Sequence, residues 1–238
     1  MITLAITTYN RTDFVIESFS SVLDNNYINE IIIVDDFSDI NIYNDLKYKI
    51  EGINNHKIKL YRNDVNLKPL LNKLEAIKYS QNDWVILLDS DNKINDNYIN
   101  IIKSLDVDKN ILYIPEKLLH FNGEIISDFN RHKNCNINLN NIKNFLNEPE
   151  ISTALNVGNF FVNKNKYLEV FSSGNIDQEL QINDALYFSY LWIVFGGDIK
   201  IVENLNYFHR QHENSWYLNN RSLCETNTKE IINRLNNI

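Results

Sequence analysis

Two carboxylates separated by one residue, Asp89 and Asp91, are the side chains of this sequence best suited to chemistry. They follow the apolar run 84–88, which predicts a buried strand. Carboxylate oxygens suit Mg²⁺ or Mn²⁺, and a metal held here could bridge the oxygens of a diphosphate. Asp and Ser are also common in solvated turns, so this D-x-D pattern alone is a weak signal.

Polar clusters follow two earlier apolar runs as well. Residues 8–10 follow the run 2–7, and Asp35-Asp36 follows the run 31–34. Amphipathic stretches separate these runs and a further one at 58–61, a pattern that predicts a mainly parallel sheet covered by helices on both faces. Ligands bind outside the carboxyl ends of the strands in such sheets, so we expect the three clusters to meet at one edge.

The second half of the chain is less regular. Strands are predicted at 111–114, 157–162 and 199–202, and a hairpin at 120–127 around Asn122-Gly123. Helices are predicted at 139–146, 164–171, 184–195 and 223–235, in addition to those at 11–23, 46–50 and 70–77 in the first half. Neither an internal repeat nor a domain boundary is evident.

Composition excludes several classes of protein. The net charge of −8 argues against binding to nucleic acid, which depends on Lys and Arg neutralising phosphates. Cys135 and Cys224 lack the spacing of a disulfide framework, so we expect free thiols. Neither a membrane-spanning run nor a signal peptide is predicted, which favours a cytoplasmic protein, or one peripheral to a membrane.

The order of four segments resembles the inverting glycosyltransferases of family 2, which have the GT-A fold. These segments are residues 6–11, residues 33–39, the D-x-D and the late stretch 207–215. The resemblance implies a Rossmann-like α/β fold with a mixed, mainly parallel sheet flanked by helices. It implies one domain over residues 1–238, with a nucleotide-binding half (1–92) and an acceptor-binding half (93–238) that ends in a helix.

The same resemblance implies an activity. The chain would transfer a hexosyl or N-acetylhexosaminyl group from a nucleotide-diphosphate donor, with a UDP-sugar expected, to a hydroxyl of a glycan or glycoconjugate. The donor sugar, the acceptor and the oligomeric state are left open, and a retaining mechanism on this fold stays an alternative.

Residues of the matching segments take roles from the resemblance. Thr8, Tyr9 and Arg11 would line the nucleotide pocket, and Asp36, rather than Asp35, would bond the base or ribose. Asp91 would be the main metal ligand, with Asp89 nearer the ribose. The implied donor-site set is Thr8, Tyr9, Arg11, Asp36, Lys73, Asp89, Ser90 and Arg210, and the implied ligands of Mn²⁺ or Mg²⁺ are Asp91, Asp89 and His212.

Inverting transfer also needs a base, because the acceptor hydroxyl must lose its proton as it attacks. In the family an acidic residue at the start of a late helix has this role, and here Asp184 precedes the predicted helix 185–195. Asp is also a preferred N-cap residue, so Asp184 could cap that helix. Asp177 and Glu179, in the preceding loop, are alternative bases.

Four further positions carry specific expectations. Lys68-Pro69 stands where the family often has glycine, and a proline is comfortable at the first position of a helix. Lys73 could reach the nucleotide, although the spacing favours a solvated helix lysine. Gly158 would allow a ligand close to the backbone. Trp216 is expected in a lid over the donor, whereas Trp192 is expected in the core.

Two other classes of function remain as alternatives. A sugar nucleotidyltransferase is disfavoured because residues 7–11 contain no glycine for a triphosphate loop. A non-catalytic module that binds nucleotide sugars or glycans on the same fold stays open.

Overall fold

The computed structural model describes residues 1–213 and 215–238. The first half of the chain alternates strands and helices. Its elements are β1 (Ile2–Thr8), α1 (Thr12–Ser20), β2 (Ile28–Asp35), α2 (Ile40–Ile53), β3 (Ile58–Arg62), α3 (Lys68–Tyr79) and β4 (Trp84–Asp89).

The second half contains short strands between helices of varied length. Its elements are α4 (Asp96–Ser104), β5 (Ile111–Leu119), β6 (Ile125–Asp128), β7 (Asn136–Ile137), α5 (Ile142–Phe145), α6 (Pro149–Leu155), β8 (Phe160–Asn163), α7 (Lys164–Ser173), α8 (Asp184–Val194), β9 (Asp198–Phe208), α9 (Trp216–Asn219) and α10 (Arg221–Asn236). Two 3-10 turns cover Asn130–His132 and Leu180–Ile182.

One mixed sheet runs through both halves, with the strand order β3-β2-β1-β4-β8-β5-β9-β7 and β6 paired to β5. Strands β3, β2, β1 and β4 are parallel, whereas β8 is antiparallel to both β4 and β5. Every residue of β1 is buried because helices cover both faces of the sheet. The predicted fold class, a mainly parallel sheet flanked by helices, is confirmed.

Strand register brings the polar clusters together. Thr8 pairs with Asp35 on β2, and Thr7 pairs with Asp89 on β4. Because β1 lies between β2 and β4, the residues that follow these three strands meet at the carboxyl edge of the sheet. The edge that the sequence predicted is therefore present.

Several elements differ from the predicted ones. Helix α2 is much longer than the predicted 46–50, whereas α5 is shorter than the predicted 139–146. Helices α4 and α6 were not predicted. The buried side chains of α4 are Tyr98, Ile99 and Ile102, and the side chain of Asn95 caps the helix by accepting a bond from the Tyr98 N–H. Asn is so frequent in this chain that the cap does not stand out.

Strand β9 continues six residues beyond the predicted end at residue 202, because a bulge allows its pairing with β5 to resume. Asn204 has a positive φ of 62°, and its N–H donates to the buried carboxylate of Glu116 on β5 at 2.6 Å. The register between β5 and β9 shifts near Glu116, between Pro115 and Lys117. Pairing then resumes as far as Phe208, so β9 delivers the following loop to the carboxyl edge.

Lys68 opens α3 with φ = 66°, in the left-handed region that favours glycine. This is the position where the resemblance expects a glycine. Pro69 follows it at the start of the helix, where a proline is tolerated, as the sequence predicted. The Lys68 side chain is exposed, so the backbone strain there, about 1 kcal/mol for a non-glycine residue, is local.

Among the helices of the described residues, none has the length and apolar character needed to cross a bilayer. The most deeply buried helix is α8, whose core residue Trp192 is fully inaccessible, as predicted. The indole Nε1 of Trp192 donates to the carbonyl of Asp198 at 2.9 Å. Gly197 lies against this ring, and a Cβ at Gly197 would overlap the indole.

We therefore expect Gly197→Ala to destabilise the protein by about 1–3 kcal/mol, because the indole must shift within a packed core. Gly52→Ala is the matched control, since a Cβ at Gly52 in α2 meets no atom within 4 Å. That control should leave stability unchanged or raise it by up to about 1 kcal/mol. Urea unfolding of both variants measures the difference, and equal stabilities would contradict the packing described here.

Candidate active site

A cleft of about 1500 Å³ opens at the carboxyl edge of the sheet. Its walls come from the ends of β1 and β4, from α3 and α6, from the start of α8 and from the loop that follows β9. The predicted site residues that line it are Thr8, Tyr9, Arg11, Asp36, Lys73, Asp89, Asp91, Asp184, Arg210 and His212. Residues that are far apart in the sequence, and that come from both halves of the chain, thus line the same cleft.

A buried ammonium joins two of the carboxylates in this cleft. Lys73 on α3 is 4% exposed. Its Nζ lies 3.0 Å from Oδ1 of Asp89 at the end of β4 and 2.7 Å from Oδ2 of Asp184 at the start of α8. The expectation that Lys73 is a solvated helix lysine is wrong, because its side chain points toward the sheet edge and not toward solvent.

Attraction between opposite charges stabilises the triad formed by Lys73, Asp89 and Asp184. Burial alone would lower the pKa of Lys73, but the carboxylates of Asp184 and Asp89 outweigh it and raise the pKa above its ordinary value. Burial raises the pKa of Asp89, and the neighbouring carboxylates of Asp184 and Asp91 add to that effect. Lys73 therefore carries its charge throughout the physiological pH range.

Asp184 does not cap its helix through its side chain. It is the first residue of α8, and Asn183 occupies the preceding cap position. The Asn183 amide instead donates to the Thr228 hydroxyl on α10 at 2.8 Å. The N-cap interpretation of Asp184 is therefore wrong, and its carboxylate is directed at Lys73.

The alternative bases lie elsewhere. Asp177 pairs with Arg234 of α10 at 3.1 Å, and neither Asp177 nor Glu179 belongs to the lining of the cleft. Of the three carboxylates considered from the sequence, Asp184 alone lines the cleft.

Gly158 packs directly on the triad. A Cβ there would lie 2.7 Å from Oδ2 of Asp89 and 2.9 Å from Nζ of Lys73. The close approach expected at this glycine is therefore made by the protein's own charged groups. The adjacent Asn159 side chain accepts a bond from the Asp89 N–H at 2.7 Å and fixes the end of β4.

Asp91 faces a different set of partners. Nη1 of Arg11 lies 2.5 Å from Oδ2 of Asp91, and Nε2 of His212 lies 3.0 Å from the same oxygen. Burial alone would raise the pKa of Asp91, but the hydrogen bond with His212 and the charge of Arg11 outweigh it and lower the pKa. The ring of His212 also packs edge-on against Phe14 of α1, with centroids 5.4 Å apart.

Ser90, between the two carboxylates, does not face the cleft. It is 1% exposed and lies outside the cleft lining, because successive side chains at a strand end point in opposite directions. Its N–H donates to the Thr7 carbonyl at 3.1 Å. The predicted contact of Ser90 with the ligand stays a prediction that this geometry disfavours.

The neighbouring carboxylates Asp35 and Asp36 differ in their position relative to the cleft. Asp36 lines the cleft and Asp35 does not. Asp36 accepts bonds from the Asn63 amide at 2.9 Å and from the Leu67 N–H at 2.8 Å. Asp35 is paired with Arg62 at 3.5 Å. Burial raises the pKa of both carboxyls.

Two further predicted residues line the pocket at its entrance. Tyr9 is 48% exposed, whereas Thr8 is 4% exposed and its Oγ1 has no hydrogen-bond partner among residues 1–213 and 215–238. A buried hydroxyl of this kind remains available to a ligand.

Arg210 makes contacts that the sequence did not predict. Its guanidinium lies between the rings of Phe14 and Phe121, 4.4 and 4.3 Å from their centroids, and it pairs with Glu17 of α1. The contacts with Phe14 and Glu17 fasten the loop after β9 onto α1. The phosphate role stays a prediction that this geometry disfavours.

Sequence reasoning missed three polar residues of the cleft region, Asn159, Asn92 and His209. Asn92 accepts a bond from the Arg210 N–H at 3.2 Å, and His209 lines the cleft beside Asp91. Burial lowers the pKa of His209. His209 lies inside the segment 207–215 that carried the resemblance, which was the available signal. Asn159 adjoins Gly158, which was singled out from the sequence, whereas Asn92 carried no signal in so Asn-rich a chain.

The buried triad makes a specific prediction for stability. Lys73→Met should destabilise the protein by about 1–3 kcal/mol, because it leaves two partly buried carboxylates side by side without their cation. Lys47→Met is the control, since the Lys47–Glu51 pair is exposed and should contribute at most about 1 kcal/mol. Chemical denaturation measures both, and a loss at Lys73 no larger than at Lys47 would show that the triad is not buried.

Comparison with solved structures supports the fold. S. aureus TarS (fragment 1–349) matches with a TM-score of 0.64 and 17% identity, over 87% of this chain and 60% of that one. GalNAc-T7, solved with UDP, GalNAc and Mn²⁺, matches with a TM-score of 0.70 and 17% identity, over 98% of this chain and 47% of that one.

A third match is the mannosyltransferase PcManGT of Pyrobaculum calidifontis, solved with GDP-Man and Mn²⁺. It has a TM-score of 0.67 and 14% identity, over 98% of this chain and 64% of that one. This chain therefore spans between 47% and 64% of the length of these three solved chains.

The sequence itself matches a family model. The model described as "Glycosyl transferase family 2" covers residues 3–169, which include all of β1 except Ile2, the D-x-D and the triad residues Lys73 and Asp89. The chain belongs to glycosyltransferase family 2.

Proposed function

We propose that this chain transfers a sugar from a nucleotide-diphosphate donor, preferably a UDP-sugar, to a hydroxyl of a glycan or glycoconjugate, with inversion and with dependence on a divalent metal. One observation carries the proposal. A single cleft holds Asp184, positioned by a buried lysine, beside Asp89, Asp91 and His212. This set combines a base with groups for a metal and a diphosphate.

Charge supports a diphosphate ligand. Arg11 and Lys73 line the cleft of a chain whose net charge is −8. Each is held by an aspartate of the D-x-D, and each lies at the sheet edge where nucleotides bind in α/β proteins. UDP is favoured as the carrier because GalNAc-T7 was solved with UDP, and the GDP-Man complex of PcManGT makes GDP the principal alternative.

The residues present fit a divalent metal. Asp91 and His212 offer a carboxylate oxygen and an imidazole nitrogen 3.0 Å apart, a donor pair that Mn²⁺ accepts and that Mg²⁺ accepts less readily. Asp89 is directed at Lys73, so Asp91 and His212 are the pair that this geometry favours. A bound metal would neutralise charge on the leaving diphosphate.

Asp184 supplies the base. As the acceptor oxygen forms its bond to the anomeric carbon, its proton passes to the carboxylate of Asp184, and the bond between that carbon and the diphosphate breaks. Lys73 bonds one oxygen of Asp184 and leaves the other oxygen for the acceptor. The sugar is inverted because attack and departure occur on opposite faces.

Nucleotide binding tests the donor site first. Because a ligand that binds only the folded state raises the melting temperature, we expect UDP with Mn²⁺ to raise it more than GDP, TDP or CMP. The shift should disappear when EDTA replaces Mn²⁺. A larger shift with GDP would replace UDP as the carrier, and no shift with any nucleotide would contradict the donor site.

Two substitutions separate binding from chemistry. Asp91→Asn should abolish the Mn²⁺-dependent nucleotide shift together with transfer. Asp184→Asn should retain the shift, because its amide oxygen still accepts from Lys73, and should lower kcat by about 10²–10⁴-fold. Asp106→Asn, at an exposed position, is the control.

Turnover with a panel of UDP- and GDP-sugars provides the readout. Transfer retained by Asp184→Asn would remove Asp184 as the base. Nucleotide binding without turnover in the wild type, across all donors and acceptors tested, would identify a binding module and overturn the catalytic proposal.

A further inference from the structure

A second group of potential metal ligands lies apart from the residues that line the cleft. It consists of His132 in the 3-10 turn Asn130–His132, Glu148 just before α6 and Glu150 in the first turn of α6. One ligand atom from each lies within 4.8 Å of the other two. None of the three belongs to the lining of the cleft.

The imidazole of His132 is buried and aimed at both carboxylates. His132 is 5% exposed, and its ring packs edge-on against Phe145 with centroids 5.7 Å apart. Its Nε2 lies 3.0 Å from Oε2 of Glu148 and 3.8 Å from Oε2 of Glu150. Within the described chain, neither Nε2 nor the Glu148 oxygen makes a well-aligned hydrogen bond.

Such atoms have the spacing of ligands around one ion. Ligand atoms about 2.0–2.2 Å from a common metal lie roughly 3.0–3.6 Å apart, which is close to the separations measured from Nε2. Glu148 and Glu150 are partly exposed, so an ion and its remaining water ligands can enter from solvent. Arg131 also lies 3.6 Å from Glu148, but its side chain is 75% exposed and can move away.

We propose that His132, Glu148 and Glu150 bind a divalent transition-metal ion, preferentially Zn²⁺, that fastens α6 to the turn Asn130–His132. One nitrogen and two carboxylate oxygens are a donor set that Zn²⁺ accepts, whereas Mg²⁺ and Ca²⁺ prefer oxygen alone. Helix α6 also carries Ser152 and Thr153, which line the cleft. The ion therefore stabilises one wall of the cleft without contacting the substrates.

Metal content of the full-length chain tests this site. The Asp91→Asn background removes the donor-site metal, so that after gel filtration in Zn²⁺ we expect about one ion per chain by elemental analysis. Glu150→Gln and His132→Asn should lose this ion. The exposed controls His56→Asn and Glu124→Gln should retain it.

Two further readouts do not depend on activity. Zn²⁺ should raise the melting temperature of the Asp91→Asn protein but not that of the same protein carrying Glu150→Gln. Co²⁺ in place of Zn²⁺ should give visible absorption bands that His132→Asn removes. Equal metal content in all variants would overturn the proposal, as would a melting temperature that responds to pH but not to Zn²⁺, since that result indicates only a His–Glu ion pair.

Discussion

The burial of one positive charge constrains the arrangement of the whole cleft. An ammonium that is removed from water is tolerated only when carboxylates and hydrogen bonds replace the lost hydration. Lys73 obtains them from Asp89 on β4 and Asp184 on α8. Helix α3, the end of β4 and the start of α8 must therefore dock together, and Gly158 is the residue that leaves room for them. This interaction ties the parallel part of the sheet and its helix α3 to the later half of the chain.

The two aspartates of the D-x-D have opposite environments although only one residue separates them. Asp89 faces a buried lysine and a second carboxylate, and burial raises its pKa. Asp91 faces Arg11 and His212, which lower its pKa. Ser90 between them is buried and lies outside the cleft. Two chemically identical side chains, one residue apart, thus have different partners and opposite shifts in pKa.

Periodicity predicted the parts of the molecule that depend on local pattern. The parallel strands, their helices and the meeting of Thr8, Asp36 and Asp89 at one edge follow from apolar spacing and the rules of parallel sheets. The burial of Lys73 could not be predicted in this way, because its partner Asp184 is distant in sequence. The orientation of Arg210 toward Phe14 and Phe121 depends on tertiary packing in the same manner.

Short or Asn-rich segments were the other source of error. Helix α6 has seven residues, too few to display a helical period, and the Asn95 cap of α4 was one asparagine among many. The contact of Asn159 with the end of β4 could not be predicted, because it joins residues 70 positions apart in the sequence. Because asparagine is so frequent in this chain, its presence at any one position predicts little, even where that asparagine makes a defined contact.

The left-handed Lys68 has an evolutionary consequence. Its strain is confined to an exposed backbone position at the start of α3, and the side chain lies outside the buried triad. Natural proteins stand only slightly above the stability they require, so backbone strain that a glycine would relieve is a reserve for compensating harmful changes elsewhere. A glycine at position 68 would release that reserve, and the chain could then tolerate one more mildly destabilising substitution without unfolding.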